Sequence, residues 1–209
     1  MKSSSPIVVC LSLLAPVIAR VYGQGNTTVA PADANIETIV AIRHGEKPPG
    51  GLGNLNCRGL NRALALPNVL LPKYGKPAFI FVPNPTEKVD WGKFYVRPLV
   101  TIEPTAIRCQ LPVNTAYGYT QIDQLADELK KPAYQHVLVF VAWEHRLLVE
   151  FARLMLKFYG GDPAQVPSWP DDDYDTIFVF KITHHHGKDT LAFSVDHEGL
   201  NNLSDACPQ

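Results

Sequence analysis

Two arginines and two histidines in this sequence are suited to bind and attack a phosphoryl group. Arg43 and His44 are adjacent, and the Gly45 that follows lets the backbone come close to a ligand. Arg97 supplies a second guanidinium and His145 a second imidazole. A neutral imidazole can act as a nucleophile, and guanidinium groups bind phosphoryl oxygens while keeping a neighbouring histidine unprotonated. The four side chains therefore predict phosphoryl transfer in which arginines supply the charge that a metal ion would otherwise provide.

The positions of these side chains indicate that they meet at one place in the fold. Residues 38–42 form a strand-like run rich in β-branched side chains that ends just before Arg43. A second apolar run, residues 136–141, ends shortly before His145, and Arg97 also follows a strand-like run. In an open α/β sheet, ligands bind at the carboxyl ends of the strands. We therefore expect these side chains to lie together at one edge of a sheet.

Each of these residues also has a plainer interpretation when it is taken alone. His44 could be a loop histidine with its hydrogen bonds satisfied, Arg97 could form a surface ion pair, and His145 could cap the long helix that it begins. Because all three follow strand-like runs, their joint placement favours a site over three unrelated features.

From residue 36 onward, short apolar runs alternate with longer mixed segments, a rhythm that is typical of α/β proteins. Two further strand-like runs near the carboxyl end are joined by the polar turn 184–189 and predict an antiparallel pair at one edge of the sheet. Pro104 predicts a kink or break in the helix that contains it. The predicted strands are residues 38–42, 79–82, 136–141, 176–182 and 190–195, and the predicted helices are residues 58–71, 99–109, 121–130 and 145–159.

The amino terminus has the pattern of a secretory signal peptide. Lys2 and a serine run precede an apolar stretch over residues 6–19, which is too short to span a bilayer, and small residues up to Gly23 favour cleavage there. The alternative is a buried amino-terminal helix, which the prolines of the stretch disfavour. We therefore expect a signal peptide at 1–23, a flexible linker at 24–35, one domain at 36–209, and a secreted protein.

Export would leave three cysteines in a compartment where disulfides persist. Three is an odd number, so at most one bridge forms within the chain. A bridge from Cys57 to Cys207 would fix the carboxy-terminal tail and leave Cys109 reduced, whereas the alternative is that all three stay free and buried. Asn26 and Asn202 both lie in glycosylation acceptor patterns, which matter only in a eukaryotic source.

Composition and local pattern argue against nucleic acid, a membrane span and a metal ion as partners of this chain. The chain has 209 residues with 19 Lys and Arg against 20 Asp and Glu, so it lacks the basic excess that nucleic-acid binding requires. No segment is apolar over the 18 residues that a membrane span needs. Residues 184–186 with His197 resemble a metal cluster, but consecutive histidines do not readily face one ion, so we expect no metal and no other cofactor. The run 171–173 is interpreted as a solvated loop, and residues 91–95 as an aromatic wall or a packed loop.

Four segments, taken in order, resemble the histidine phosphatase superfamily, whose members have the phosphoglycerate mutase-like fold. Residues 39–46, Ile-Val-Ala-Ile-Arg-His-Gly-Glu, match its signature, and residues 55–63 are similar to the segment that follows it. Arg97 and Thr101 resemble the Arg-Ala-x-x-Thr element, although Pro98 replaces the usual Ala. Residues 139–145 match the strand that carries the second histidine. The resemblance covers residues 36 to 195 and implies an α/β three-layer sandwich with a mostly parallel central sheet, helices on both faces and an antiparallel edge pair.

The resemblance implies a phosphatase that hydrolyses small phosphate monoesters through a phosphohistidine on His44. Arg43, Arg97 and His145 would bind the phosphoryl group beside it. Glu144 is the nearest carboxyl group in sequence that could protonate the leaving group, with Asp123 and Glu103 as the other candidates. Two alternatives are a catalytically silent protein that binds phosphorylated ligands and a phosphoglycerate mutase-type phosphotransferase, for which the chain has little material to form a lid. The physiological substrate and the oligomeric state are not encoded in these motifs.

Overall fold

The structure is a computed structural model that describes residues 35–185 and 187–208. The predicted signal peptide, residues 1–23, and Asn26 lie outside the described residues. Within them, the strands are β1 (Ile36–Arg43), β2 (Phe79–Phe81), β3 (Lys88–Val89), β4 (Lys93–Phe94), β5 (Leu138–Trp143), β6 (Thr176–Thr183) and β7 (Thr190–His197). The helices are α1 (Cys57–Ala65), α2 (Pro67–Tyr74), α3 (Arg97–Cys109), α4 (Ile122–Leu129) and α5 (His145–Phe158).

Five of the strands form one sheet in the order β2-β5-β1-β6-β7. The β2, β5 and β1 strands pair in parallel, and β1 lies at the centre of the sheet with Arg43 opposite Trp143 of β5. The β6 strand is antiparallel to β1 and to β7, so four of the five strands run in one direction. The mostly parallel sheet with an antiparallel edge pair is therefore confirmed. The short strands β3 and β4 form a separate hairpin.

Helices cover both faces of this sheet. Successive residues of β1 point to opposite faces, so Ile39 belongs to one apolar core and Val40 to the other. On the first face, α4 and α5 contribute side chains such as Leu125 and Phe151. On the second face, side chains of α2 and α3 such as Leu70 pack against the sheet. Because helices cover both faces of the sheet, the central strands are largely apolar along their length. The predicted three-layer sandwich is confirmed.

The structure corrects some predicted element boundaries. The single helix predicted at residues 58–71 is two helices that meet at Leu66, because Pro67 lacks an N–H and is suited to begin a helix rather than to continue one. The α3 helix continues through Pro104, so of the predicted kink or break the break is wrong. The strand predicted at 136–141 begins and ends two residues later, and its last residue is Trp143.

The carboxy-terminal tail is fixed to α1. A disulfide joins Cys57 to Cys207, and Cys109 is free and buried, as the sequence predicts. The Asn61 side chain donates hydrogen bonds to the carbonyl oxygens of Ser204 (2.9 Å) and Ala206 (2.8 Å). A bridge between residues 150 positions apart restricts the unfolded chain, so it stabilises a tail that has little apolar surface to bury.

The polar turn at the edge pair is held by carboxylates. His184 places one ring nitrogen 2.9 Å from Asp189 and the other 3.3 Å from the buried Glu37.

Among residues 35–185 and 187–208, no group of three or more potential ligands is arranged to hold a metal ion. No helix in this part of the chain is long and apolar enough to cross a bilayer.

Candidate active site

The site residues predicted from the sequence converge on one cavity of about 620 Å³. It lies at the carboxyl ends of β1 and β5, where the His44 N–H donates a hydrogen bond to the Trp143 carbonyl at 2.9 Å. This bond continues the parallel pairing past the end of β1 and holds the two strand ends together. The residues from the prediction that line the cavity are Arg43, His44, Arg97, Glu144 and His145.

The His44 imidazole is buried and held in one orientation. Its Nδ1 lies 2.8 Å from the Gly45 carbonyl oxygen, and because a carbonyl can only accept, Nδ1 must carry the proton. In the neutral ring, the Nε2 lone pair is then free. Burial holds the pKa of His44 well below its usual range, and the charges of Arg97 and Arg43 lower it further. The imidazole is therefore neutral and nucleophilic over the whole physiological pH range.

The loop that carries His44 is positioned by α3. The Gly45 N–H donates to Thr101 Oγ1 at 2.9 Å, and the Thr101 hydroxyl donates in turn to the Arg97 carbonyl at 2.8 Å. Thr101 is fully buried, so water cannot replace either bond. The spacing of four residues between Arg97 and Thr101 brings the arginine and the loop anchor onto the same face of the helix. One helix thus fixes both the second guanidinium and the histidine loop.

Close contact with α1 holds the same loop from its other side. A Cβ atom on Gly59 would lie 2.4 Å from the Glu46 carbonyl oxygen, so only glycine fits there. The buried Arg62, one turn further along α1, donates to both carboxylate oxygens of Glu46, at 3.0 and 2.8 Å, and also pairs with the buried Glu198. Gly59 thus permits the close approach of α1 to the loop, and the ion pairs of Arg62 fix the position of α1 relative to it.

Arg43 and Arg97 line the same cavity as His44. Arg43 donates to the Asp173 carbonyl at 2.7 Å and lies 3.9 Å from the centre of the Tyr174 ring. Arg97 donates to the Asp90 carboxylate. The Nε atoms of both arginines are buried and have no hydrogen-bond partner among the described residues. Two buried guanidinium groups with unused donors make a strong binding site for an anion.

His145 lies between two carboxylates at the start of α5. Its Nε2 is 2.8 Å from Asp171, whose oxygens also accept from Arg146 at 2.8 and 2.7 Å. Arg146 and then His145 lower the pKa of Asp171 to about 2. The Nδ1 atom of His145 is 2.6 Å from Glu144, a distance at which the two groups attract although their alignment does not make a hydrogen bond. Glu144 also caps α5 by accepting from the Leu147 N–H at 3.0 Å.

The structure separates the three candidates for the leaving-group acid. Glu144 lines the cavity, whereas Asp123 is exposed on α4 and Glu103 lines a separate apolar groove beside α3. Burial opposes ionisation of Glu144, but its contacts with His145 and the backbone outweigh burial and lower its pKa. Glu144 is thus the only one of the three that could reach a bound substrate, and it is ionised at neutral pH.

Two carboxylates that the sequence interpretation missed also line the cavity. Asp90 comes from the turn of the β3–β4 hairpin, and Asp171 from the loop that was interpreted as solvated. Both reach the site through loops of irregular structure, for which periodicity gives no signal. Of the proposed aromatic wall, Tyr95 is fully buried and lines the cavity, whereas Trp91 is 99% exposed and does not.

Comparison with known proteins supports the fold. No protein-family model matches the chain, and no curated protein is significantly similar to it. Among solved structures, a putative phosphohistidine phosphatase SixA from Nakamurella multipartitia is 18% identical with a TM-score of 0.50, covering 78% of this chain and 97% of its own. A mycobacterial glucosyl-3-phosphoglycerate phosphatase, solved with inorganic phosphate, is 15% identical with a TM-score of 0.52, covering 76% and 95%. These similarities show that the chain shares the fold of the two phosphatases, which is the fold that the sequence resemblance implies.

Replacing Thr101 with valine should destabilise the protein by about 1–3 kcal/mol, because it leaves the buried Gly45 N–H without an acceptor. The matched control is Thr105→Val. Thr105 lies one turn later on α3 and is equally buried, but its hydroxyl has no partner among the described residues. We expect the control to be neutral or stabilising in urea denaturation. Equal losses of unfolding free energy in the two variants would contradict the anchoring role of Thr101.

Proposed function

We propose that this chain, which has the fold of the histidine phosphatase superfamily, is a secreted phosphatase that hydrolyses phosphate monoesters through a phosphohistidine on His44. The observation that carries the proposal is the state of His44. It is a buried neutral imidazole whose Nδ1 proton is held by the Gly45 carbonyl, so that Nε2 keeps its lone pair in a cavity lined by two guanidinium groups. A protein that only bound phosphate would gain more from a protonated histidine at this position.

In the first step, the Nε2 atom of His44 attacks phosphorus and the bond from phosphorus to the ester oxygen breaks. Arg43 and Arg97 bind the non-bridging oxygens, and their charge neutralises the phosphoryl group as the leaving oxygen departs with the bonding electron pair. In the second step, water attacks the phosphohistidine. The nitrogen–phosphorus bond breaks, inorganic phosphate leaves, and His44 returns to its neutral form.

His145 is assigned the role of stabilising charge on the phosphoryl group. In the free protein its Nε2 faces Asp171, whose side chain is exposed and also pairs with Arg146. A phosphoryl oxygen can replace Asp171 as the acceptor while Arg146 retains the displaced carboxylate. The histidine would thus change partner without losing a hydrogen bond, which limits the cost of binding.

The leaving group must receive a proton, and the carboxyl groups that line the cavity supply one poorly at neutral pH. The pKa values of Glu144, Asp90 and Asp171 are all lowered by neighbouring donors despite the opposing effect of burial. Substrates whose leaving group is stable as an anion, such as aryl phosphates, avoid this difficulty. They are therefore the substrates of choice for a first assay.

Export of the protein is part of the proposal. It is supported by the apolar stretch at residues 6–19 and by the disulfide between Cys57 and Cys207, since such bridges persist in oxidising compartments. Sequencing of the amino terminus of protein recovered outside the producing cells should begin at Gln24. Recovery of only the full chain, with Met1 and inside the cells, would contradict it.

The mature chain should hydrolyse an aryl phosphate in the presence of a chelator, and rapid quenching with labelled substrate should place an acid-labile phosphate on the peptide that contains His44. His44→Ala removes the nucleophile and should abolish both the label and turnover. His145→Ala removes one stabilising group and should lower the rate by roughly 10²–10³ while still allowing slow labelling.

Three other results would change the assignment. A label on the peptide that contains His145, or trapping of phosphate by His44→Ala, would show that the nucleophile is wrong. Tight phosphate binding without any label or turnover would indicate the silent binding protein. A long-lived label that passes to a second alcohol rather than to water would indicate the phosphotransferase.

A further inference from the structure

Tyr95 has a buried hydroxyl that the structure leaves without a partner. The residue lies between β4 and α3 and is fully buried, yet its side chain lines the same cavity as His44 and Arg97. The Arg97 guanidinium beside it can only donate to its Oη atom, and no described residue accepts the proton of its hydroxyl. Burying an unpaired hydroxyl costs free energy, so such a group in a folded protein requires an explanation.

Among the described residues, Tyr95 is the only tyrosine whose hydroxyl is both fully buried and without an acceptor, and three others are paired with carboxylates. The hydroxyl of Tyr134 donates to Glu128 at 2.8 Å, that of Tyr117 donates to the same carboxylate at 2.7 Å, and that of Tyr74 donates to Asp196. In each of these pairs, a carboxylate oxygen accepts the phenolic proton. The unpaired hydroxyl of Tyr95 is therefore a property of the site rather than of tyrosine packing in this fold.

The ring of Tyr95 is fixed in place by its neighbours. It packs edge-on against the His44 ring at 6.2 Å between ring centres and against Tyr119 at 5.1 Å, and the Arg97 guanidinium carbon lies 4.8 Å from its centre. A side chain held on three sides does not turn its hydroxyl toward another acceptor. The donor position is thus preorganised, which is the arrangement that binds developing charge most effectively.

The unused donors of the cavity form a set. Besides the Tyr95 hydroxyl, the Nε atoms of Arg43 and Arg97 are buried and lack partners among the described residues. Each of the three atoms carries a proton that has no acceptor among the described residues. A phosphoryl group brings several acceptor oxygens at once. Both arginines already belong to the proposed phosphoryl site, and the hydroxyl beside them has the same requirement.

We propose that Tyr95 is a further phosphoryl-binding residue of this site, and that its hydroxyl donates a hydrogen bond to a non-bridging oxygen of the bound phosphoryl group. The proposal rests on the proposed function in that it takes the cavity to be a phosphoryl site. Tyr95 donates a hydrogen bond without giving up its proton. Burial raises the pKa of its phenol well above the usual value, although Arg97 opposes the shift, so the group stays neutral and is not the leaving-group acid.

The test compares Tyr95→Phe with Tyr134→Phe in the mature, disulfide-bonded chain. Tyr95→Phe keeps the ring and removes only the unpaired hydroxyl. It should lower kcat/KM for an aryl phosphate about 10- to 100-fold and weaken the binding of inorganic phosphate about 10-fold, since one hydrogen bond to a charged group is lost. The shape of its pH–rate profile should match that of the wild type, because no proton transfer is removed.

The two variants should also differ in thermal stability, and the variant with reduced activity should be the more stable one. Tyr95→Phe removes a hydroxyl whose proton has no acceptor in the free protein, so its Tm should be unchanged or higher. Tyr134→Phe loses the bond to Glu128, far from the cavity, so its Tm should fall while turnover and phosphate affinity stay the same. A purely structural role for the Tyr95 hydroxyl predicts a lower Tm with unchanged phosphate affinity.

The outcomes separate this proposal from the proposed function. If the wild type hydrolyses the aryl phosphate and Tyr95→Phe matches it in rate and phosphate affinity, the role of Tyr95 is wrong and the phosphatase stands. If the wild type binds phosphate without turnover, the phosphatase is wrong, and the ratio of phosphate Kd values alone decides the role of Tyr95. If the wild type does not bind phosphate, both are overturned.

Discussion

The hydrogen bond between His44 Nδ1 and the Gly45 carbonyl is the constraint on which the rest of the site depends. It fixes the tautomer of a buried imidazole and leaves Nε2 as a free base in a cavity that also holds the guanidinium groups of Arg43 and Arg97. A protonated His44 would add a third positive charge to a cavity that already holds two guanidinium groups, so burial and these charges act in the same direction to keep it neutral. The lowered pKa of His44 makes the stability of the fold depend on pH. In the unfolded chain His44 takes up a proton near pH 6.5, so its contribution to stability falls as the pH drops below that value.

Much of the surrounding architecture holds the short loop from Gly45 to Glu46 in place. The α3 helix anchors it through Thr101, and α1 closes on it through the close approach at Gly59 and through Arg62. Arg62 is almost fully buried, and removing one carboxylate partner from such a pair typically costs about 3–5 kcal/mol because an unpaired charge stays behind. Apolar side chains in place of Arg62, Glu46 and Glu198 would not hold the loop so firmly. The buried ion pairs thus specify the position of the loop more than they stabilise the fold.

The sequence predicts those parts of the site that local pattern controls. Arg43, His44 and His145 each follow an apolar run, and the strand-end rule is sufficient to bring them together. Asp90 and Asp171 are not predictable in this way, because irregular loops deliver them to the cavity. The sequence prediction also joins α1 and α2 into one helix, although Pro67, which suits the first turn of a helix, is the signal that could have separated them. Tyr95 is visible in sequence as one aromatic residue among several, and its unpaired hydroxyl is visible only in three dimensions.

The protonation state of His44 is the central claim of this account, and nitrogen-detected NMR of the histidine side chains measures it directly. With His44→Ala used to assign the signals, the wild-type His44 ring should remain neutral as the pH is lowered through the ordinary histidine pKa, with its proton on Nδ1 throughout. A His44 ring that takes up a second proton near pH 6.5, or one that carries its proton on Nε2, would contradict the account.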